Sequence, residues 1–90
     1  MPTVKFTPNL KQFFPTLAPI KVDAGSVTEA VTAVNARWDG LKDYIVDEHG
    51  RLRPHVNIFV GEDLIQDKIN LSDTVTDEDV IFIMQALSGG

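Results

Sequence analysis

Apolar and polar residues alternate at the start of the chain, where Val4 and Phe6 flank Lys5. A period of two puts alternate side chains on opposite faces, so Thr3 to Phe6 predicts a first β-strand with Val4 and Phe6 on one face. Pro8, Pro15 and Pro19 then interrupt regular structure, yet Leu10, Phe13, Phe14 and Leu17 lie among them. So much apolar surface in a loop predicts a segment packed down on the core. Alternation resumes at Ile20 and Val22, a second strand ending at the turn signal Asp23-Ala24-Gly25.

The period then changes. Val27, Ala30, Val31, Val34, Trp38 and Leu41 recur at helical spacing and predict one helix with a single buried stripe. Ser26 is a good N-cap, and Glu29 three residues later completes a capping box in which each side chain satisfies the other's backbone N–H. Gly40 is read as the stop. Tyr44-Ile45-Val46 leads into the polar connection Asp47-Glu48-His49-Gly50. A third strand is expected from about His55 to Val60, a turn at Gly61-Glu62-Asp63, and a short strand at Leu64-Ile65. Leu71 and Val75 anchor an irregular stretch, Thr76-Asp77-Glu78-Asp79 is a tight turn, and Val80 to Met84 is the last strand.

On that strand Ile81 and Ile83 should face inward and Phe82 and Met84 outward. On the third strand the alternation turns Ile58 and Val60 to the helix and Asn57 and Phe59 outward. Phe59, Phe82 and Met84 would then form an exposed apolar patch of the kind that marks an interface, with Arg51 and Arg53 as a polar rim. The competing expectation is that loop 7–19 covers these side chains. The element order predicts an α+β roll, a mixed sheet of four or five strands wrapped around one main helix.

Ninety residues support one domain with one modest core, here 1–90, with 85–90 as an extended C-terminal tail. A formal charge of −5 argues against a nucleic-acid partner. The chain has no cysteine, hence no disulfide framework and no thiolate nucleophile or metal ligand. No apolar run approaches the roughly 20 residues that span a bilayer, and Met1-Pro2-Thr3-Val4-Lys5 lacks the apolar core of a secretory signal. The expectation is a cytoplasmic protein with no membrane partner. His49 and His55 lack metal-site spacing, and Asp77, Glu78 and Asp79 offer too few oxygens for calcium, so no metal is expected.

The sequence finishes Leu87-Ser88-Gly89-Gly90. Glycine carries no Cβ, so a diglycine can lie extended in a channel too narrow for other residues, and the terminal carboxylate can itself be the reactive group. Ile58-Phe59-Val60-Gly61-Glu62-Asp63-Leu64, then Leu71-Ser72-Asp73, then an apolar strand ending in Gly-Gly, is similar to the C-terminal half of ubiquitin. An ungapped match would expose Ile58, contrary to the alternation. The run Arg53-Pro54-His55-Val56-Asn57-Ile58-Phe59-Val60, followed by Glu62-Asp63, more closely resembles the β-grasp sulfur carriers, in particular the cysteine-synthesis carrier and the small subunit of molybdopterin synthase. That family often has Asp-Gly-Asp where this chain has Asp77-Glu78-Asp79, and a proline shortly before the diglycine where it has Gln85-Ala86-Leu87-Ser88. A left-handed turn residue would be strained as Glu78.

The resemblance implies a β-grasp fold and a protein cosubstrate rather than an enzyme. An ATP-dependent, ubiquitin-activating-type adenylyltransferase and sulfurtransferase would adenylate the Gly90 carboxylate. Sulfide would displace AMP to leave a thiocarboxylate, or a persulfide would displace it to leave an acyl disulfide that a thiol reduces to the thiocarboxylate. Gly89 would give access, Leu87 and Ser88 would form the stalk, and no cofactor would be bound beyond the covalent sulfur on Gly90. The acceptor would be a synthase, either cysteine synthase or the large subunit of molybdopterin synthase, with thiamin synthesis and tRNA thiolation also served by the family. A ubiquitin-like modifier joined to lysines and a plain β-grasp binding module are the alternatives.

Overall fold

The computed structural model describes residues 1–86. Five strands form one sheet: β1 (Thr3–Phe6), β2 (Ile20–Lys21), β3 (Val56–Val60), β4 (Asp63–Leu64) and β5 (Val80–Gln85), in the order β2-β1-β5-β3-β4. β5 runs parallel to β1 and antiparallel to β3, so the last strand lies in the middle. β2 and β4 are the antiparallel edges, two residues each. Helix α1 (Val27–Arg37) joins the two halves, and a short helix α2 (Lys42–Ile45) follows it. No helix among the described residues is long and apolar enough to cross a membrane. The α+β roll expected from the periodicities is the architecture observed.

The core is built from the predicted stripe and the predicted strand faces. Val27, Ala30, Val31 and Val34 of α1 are buried together with Val4, Val56, Ile58, Ile81 and Ile83 of the sheet. Burying each of the larger of these side chains contributes about 1.5–3 kcal/mol. Loop 7–19 does pack inward: Pro8–Gln12 forms a short 3-10 helix, and Leu10 and Leu17 are buried in the same cluster. Phe13 is the exception, 49% exposed and stacked on Tyr44 with ring centroids 4.8 Å apart.

The helix departs from expectation at both ends. Ser26 Oγ accepts from the Glu29 N–H as a capping box requires, but the Glu29 carboxylate accepts from the Gly25 N–H at 2.8 Å, one residue beyond the N-cap. At the other end α1 stops at Arg37, three residues before the expected glycine, with Trp38 already extended. Trp38 and Leu41 remain buried because the chain folds back through Gly40, at φ +92°, rather than continuing the helix. Asn35 Oδ1 holds this turn by accepting from the Gly40 and Lys42 N–H groups. Trp38 Nε1 donates to Thr16 Oγ1, and its ring meets Phe6 edge-on.

Smaller corrections concern the turns. β2 ends at Lys21, although Val22 is buried, and β4 is Asp63–Leu64 with Ile65 buried just beyond it. Among the described residues Leu71 is the only non-glycine at positive φ, so Glu78 carries no left-handed strain. The Thr76–Asp79 turn closes instead with the Asp79 N–H donating to the Thr76 carbonyl and the Thr76 N–H to Asp79 Oδ2.

Candidate functional site: the outer face and root of the C-terminal strand

Register fixes which side chains β5 offers. Ile81 pairs with Val60 and Ile83 with Ile58, and Ile58, Ile81 and Ile83 are buried under α1. Strand alternation then turns Phe82 and Met84 to the opposite face. The ungapped ubiquitin match therefore fails at Ile58, which is fully buried, and the alternation holds.

On that outer face Phe82 sits between Lys5 of β1 and Phe59 of β3, and Phe59 in turn pairs with Leu64 of β4. Met84, in the next row, pairs with Asn57. Phe59 and Phe82 are half-buried, while Met84 and Leu64 are 37% and 40% exposed. The structure thus brings together the three expected apolar residues and adds Leu64. Its strand was expected, but its partner across the ladder was not readable from spacing. Loop 7–19 turns its exposed aromatic ring toward Tyr44, where Phe13 and Phe14 both pack.

The end of β5 is stapled from both sides. The Gln85 N–H donates to Thr7 Oγ1 at 3.1 Å, the Gln85 carbonyl accepts from the Asn9 amide at 3.0 Å, and the Ala86 N–H donates to the His55 carbonyl at 2.9 Å. Gln85, expected at the root of a free tail, is the last residue of the strand. Leu87, Ser88, Gly89 and Gly90, expected from the family resemblance to be the stalk and the reacting end, lie outside the described residues.

The two arginines part company. Arg51 Nε lies 3.6 Å from Asp47 Oδ2 within the turn between the bridged residues Val46 and Leu52. The Asp47 carboxylate also accepts the backbone N–H of Arg51 and of His49; the Arg51 N–H does most to hold its pKa below the usual carboxylate value. Arg53 Nε donates to the Asp43 carbonyl at 2.8 Å, and its side chain lines a hollow with Asp43, Tyr44, His55 and Gln85 at the root of the tail. Neither arginine occupies a strand row beside Phe59, so the expected rim is replaced by one cation at the tail root and one held in a turn.

No protein-family model matches this chain. No curated protein matches it either. Solved structures do. A chain of the Amycolatopsis orientalis BexX/CysO complex is 24% identical with a TM-score of 0.85, covering 100% of both chains. CysO from Mycobacterium tuberculosis is 19% identical with a TM-score of 0.82, covering 97% of this chain and 100% of that one. The small archaeal modifier protein SAMP1 from Methanosarcina acetivorans is 22% identical with a TM-score of 0.77, covering 98% of this chain and 94% of that one. The sheet order, the helix across one face and these whole-chain likenesses establish that the protein has the ubiquitin-like β-grasp fold.

Proposed function

We propose that the protein is a sulfur carrier whose C-terminal Gly90 carboxylate is adenylated and then converted to a thiocarboxylate. The observation that carries this reading is the fold in register with the sequence: the central strand β5 is pinned through Ala86, and Leu87-Ser88-Gly89-Gly90 follows. A carboxylate is a poor electrophile because its negative charge repels nucleophiles and oxide leaves badly. Attack of its oxygen on the α-phosphorus of ATP forms a C–O–P bond and expels pyrophosphate. Sulfide then attacks the carbonyl carbon, the C–O bond to AMP breaks, and the terminus becomes a thiocarboxylate. Transfer of that sulfur to an acceptor and hydrolysis return the carboxylate.

In this scheme the domain is a handle and a cosubstrate, and no side chain of it needs to move a proton. The face of Phe59, Phe82, Met84 and Leu64 is the docking surface, since two adjacent aromatic residues and two exposed aliphatic ones form a contiguous apolar patch. The partners are an ATP-dependent adenylyltransferase acting as sulfurtransferase and a sulfur-accepting synthase. Likeness to CysO favours cysteine synthesis over molybdopterin synthesis as the pathway, and the place we propose is the cytoplasm.

The test is intact mass after incubation with the cognate activating enzyme, ATP and sulfide. The expected product is heavier by the difference between one sulfur and one oxygen. An unchanged mass with an enzyme known to be active overturns the proposal. Likeness to a small archaeal modifier protein favours a second reading, conjugation to lysine amines of other proteins. It predicts reductant-resistant adducts of higher mass in cell extracts, lost when Gly90 is deleted.

A further inference from the structure

The root of the tail carries a surface that the apolar sheet face does not explain. Two adjoining hollows of about 190 and 260 Å³ share Tyr44, His55 and Gln85; the first is walled by Asn9 and Phe13, the second by Arg53 and Asp43. Phe13 offers half of its surface to solvent against a half-buried Tyr44, an aromatic pair outside the sheet patch. Arg53 makes no ion pair among the described residues, in contrast to Arg51. Its Nε is anchored on the Asp43 carbonyl, which fixes the guanidinium while leaving its other N–H groups for a ligand.

Charge is unevenly placed. Asp77 pairs with the N-terminal amine, the Asp79 carbonyl accepts the Thr3 N–H, and Asp63 and Glu62 adjoin Gly61, whose N–H donates to the Val80 carbonyl. Asp73 and Glu29 lie at the start of α1, against the same end of the sheet. Acidic side chains therefore cluster where β5 begins, beside Lys21 and the N-terminal amine, while where β5 ends Asp43 is the one carboxylate among the described residues lining the groove, together with Arg53 and His55. An acidic surface approaching this molecule meets more carboxylates where β5 begins than at the groove, where Arg53 offers it a cation.

The geometry points to a second recognition surface: the groove of Asn9, Phe13, Tyr44, Arg53 and His55 takes an acidic segment of the enzyme that activates Gly90. The inference rests on the sulfur-carrier reading. An acidic strand or loop seated here would lie beside Gln85 and Ala86 at the root of the tail, so the contact sets which enzyme binds. The aromatic wall suits a peptide better than a small free anion, which would need more donors than Arg53 and the imidazole supply.

Steady-state kinetics with the cognate activating enzyme test this. Arg53→Gln and Arg53→Glu should raise KM for the carrier, the latter roughly tenfold or more at low salt, with kcat within about twofold of wild type. Phe13→Ser should raise KM similarly. Raising ionic strength should raise the wild-type KM and affect Arg53→Gln less. Circular dichroism and melting curves verify that each variant is folded. Unchanged KM in folded Arg53→Gln and Phe13→Ser overturns the inference, as does an effect on KM for ATP instead of the carrier. Failure of the wild-type chain to gain sulfur overturns the underlying reading instead, so the two failures are distinguishable.

Discussion

Asp67 organises more backbone than any other side chain among the described residues. Its carboxylate accepts the N–H groups of Ile69, Asn70 and Ser72 and the Ser72 hydroxyl, while its own N–H donates to Asp73 Oδ1. The Asp67 carbonyl accepts from the Leu71 N–H, and Leu71 sits at φ +54° with its side chain buried. A left-handed leucine is costly, and it persists where its surroundings over-determine it. Here the Leu71 carbonyl also accepts from the N–H and hydroxyl of Thr28 at the start of α1. Donors on the carboxylate, the Asn70 N–H first, hold the Asp67 pKa at about 2 against an ordinary 3.8. A depressed folded pKa means that this contribution is complete above the unfolded value and disappears as protons bind the folded state. Asp67→Asn should therefore melt lower than wild type at neutral pH, with the gap closing as pH falls from about 4 to about 2. A gap in melting temperature that stays constant across that range would contradict the assignment.

The strands and the helix show which elements a single sequence discloses. Ser26→Ala removes the acceptor for the Glu29 N–H and should cost about 1 kcal/mol in urea unfolding. Ile58→Ala, in the core, should cost about 2–5 kcal/mol, while Phe59→Ala one residue away should cost distinctly less and weaken partner binding instead. Equal losses from Ile58→Ala and Phe59→Ala would mean that the strand does not divide into an inner and an outer face. Period-two and helical spacing made β1, β3, β5 and α1 legible, because each buries one face against the same core. Burial spacing could not tell where α1 ends, since Trp38 and Leu41 reach the core from a turn as well as from a helix. Nor could it find α2, a single turn whose position depends on Asn35 and on the fold of loop 7–19. The apolar members of the site, Phe59, Phe82 and Met84, were legible from parity, whereas Leu64 and the separation of Arg51 from Arg53 depend on pairings between distant segments.

At the scale of the whole molecule, the proposed function assigns stability and reactivity to different stretches of one chain. Among the described residues, the hydrogen bonds that finish the sheet end with the Ala86 N–H on His55, and the residues that bury the core end at Ile83. Gly89 and Gly90 lie beyond both in the sequence. Removing them should leave the melting temperature within about 1 °C of wild type, since none of the side-chain burial that dominates folding is lost. The same truncation should abolish sulfur loading, because Ser88 would then present its carboxylate two residues short and with a Cβ where the path needs none. Gly90→Ala separates length from shape: it keeps the number of residues but adds a Cβ that glycine lacks, so loading should fall while folding is unaffected. If the truncated chain still gains sulfur, the reacting carbon is not at the end of the chain. If it instead unfolds, the tail belongs to the fold, and the domain cannot act as a rigid handle behind a separate reactive end.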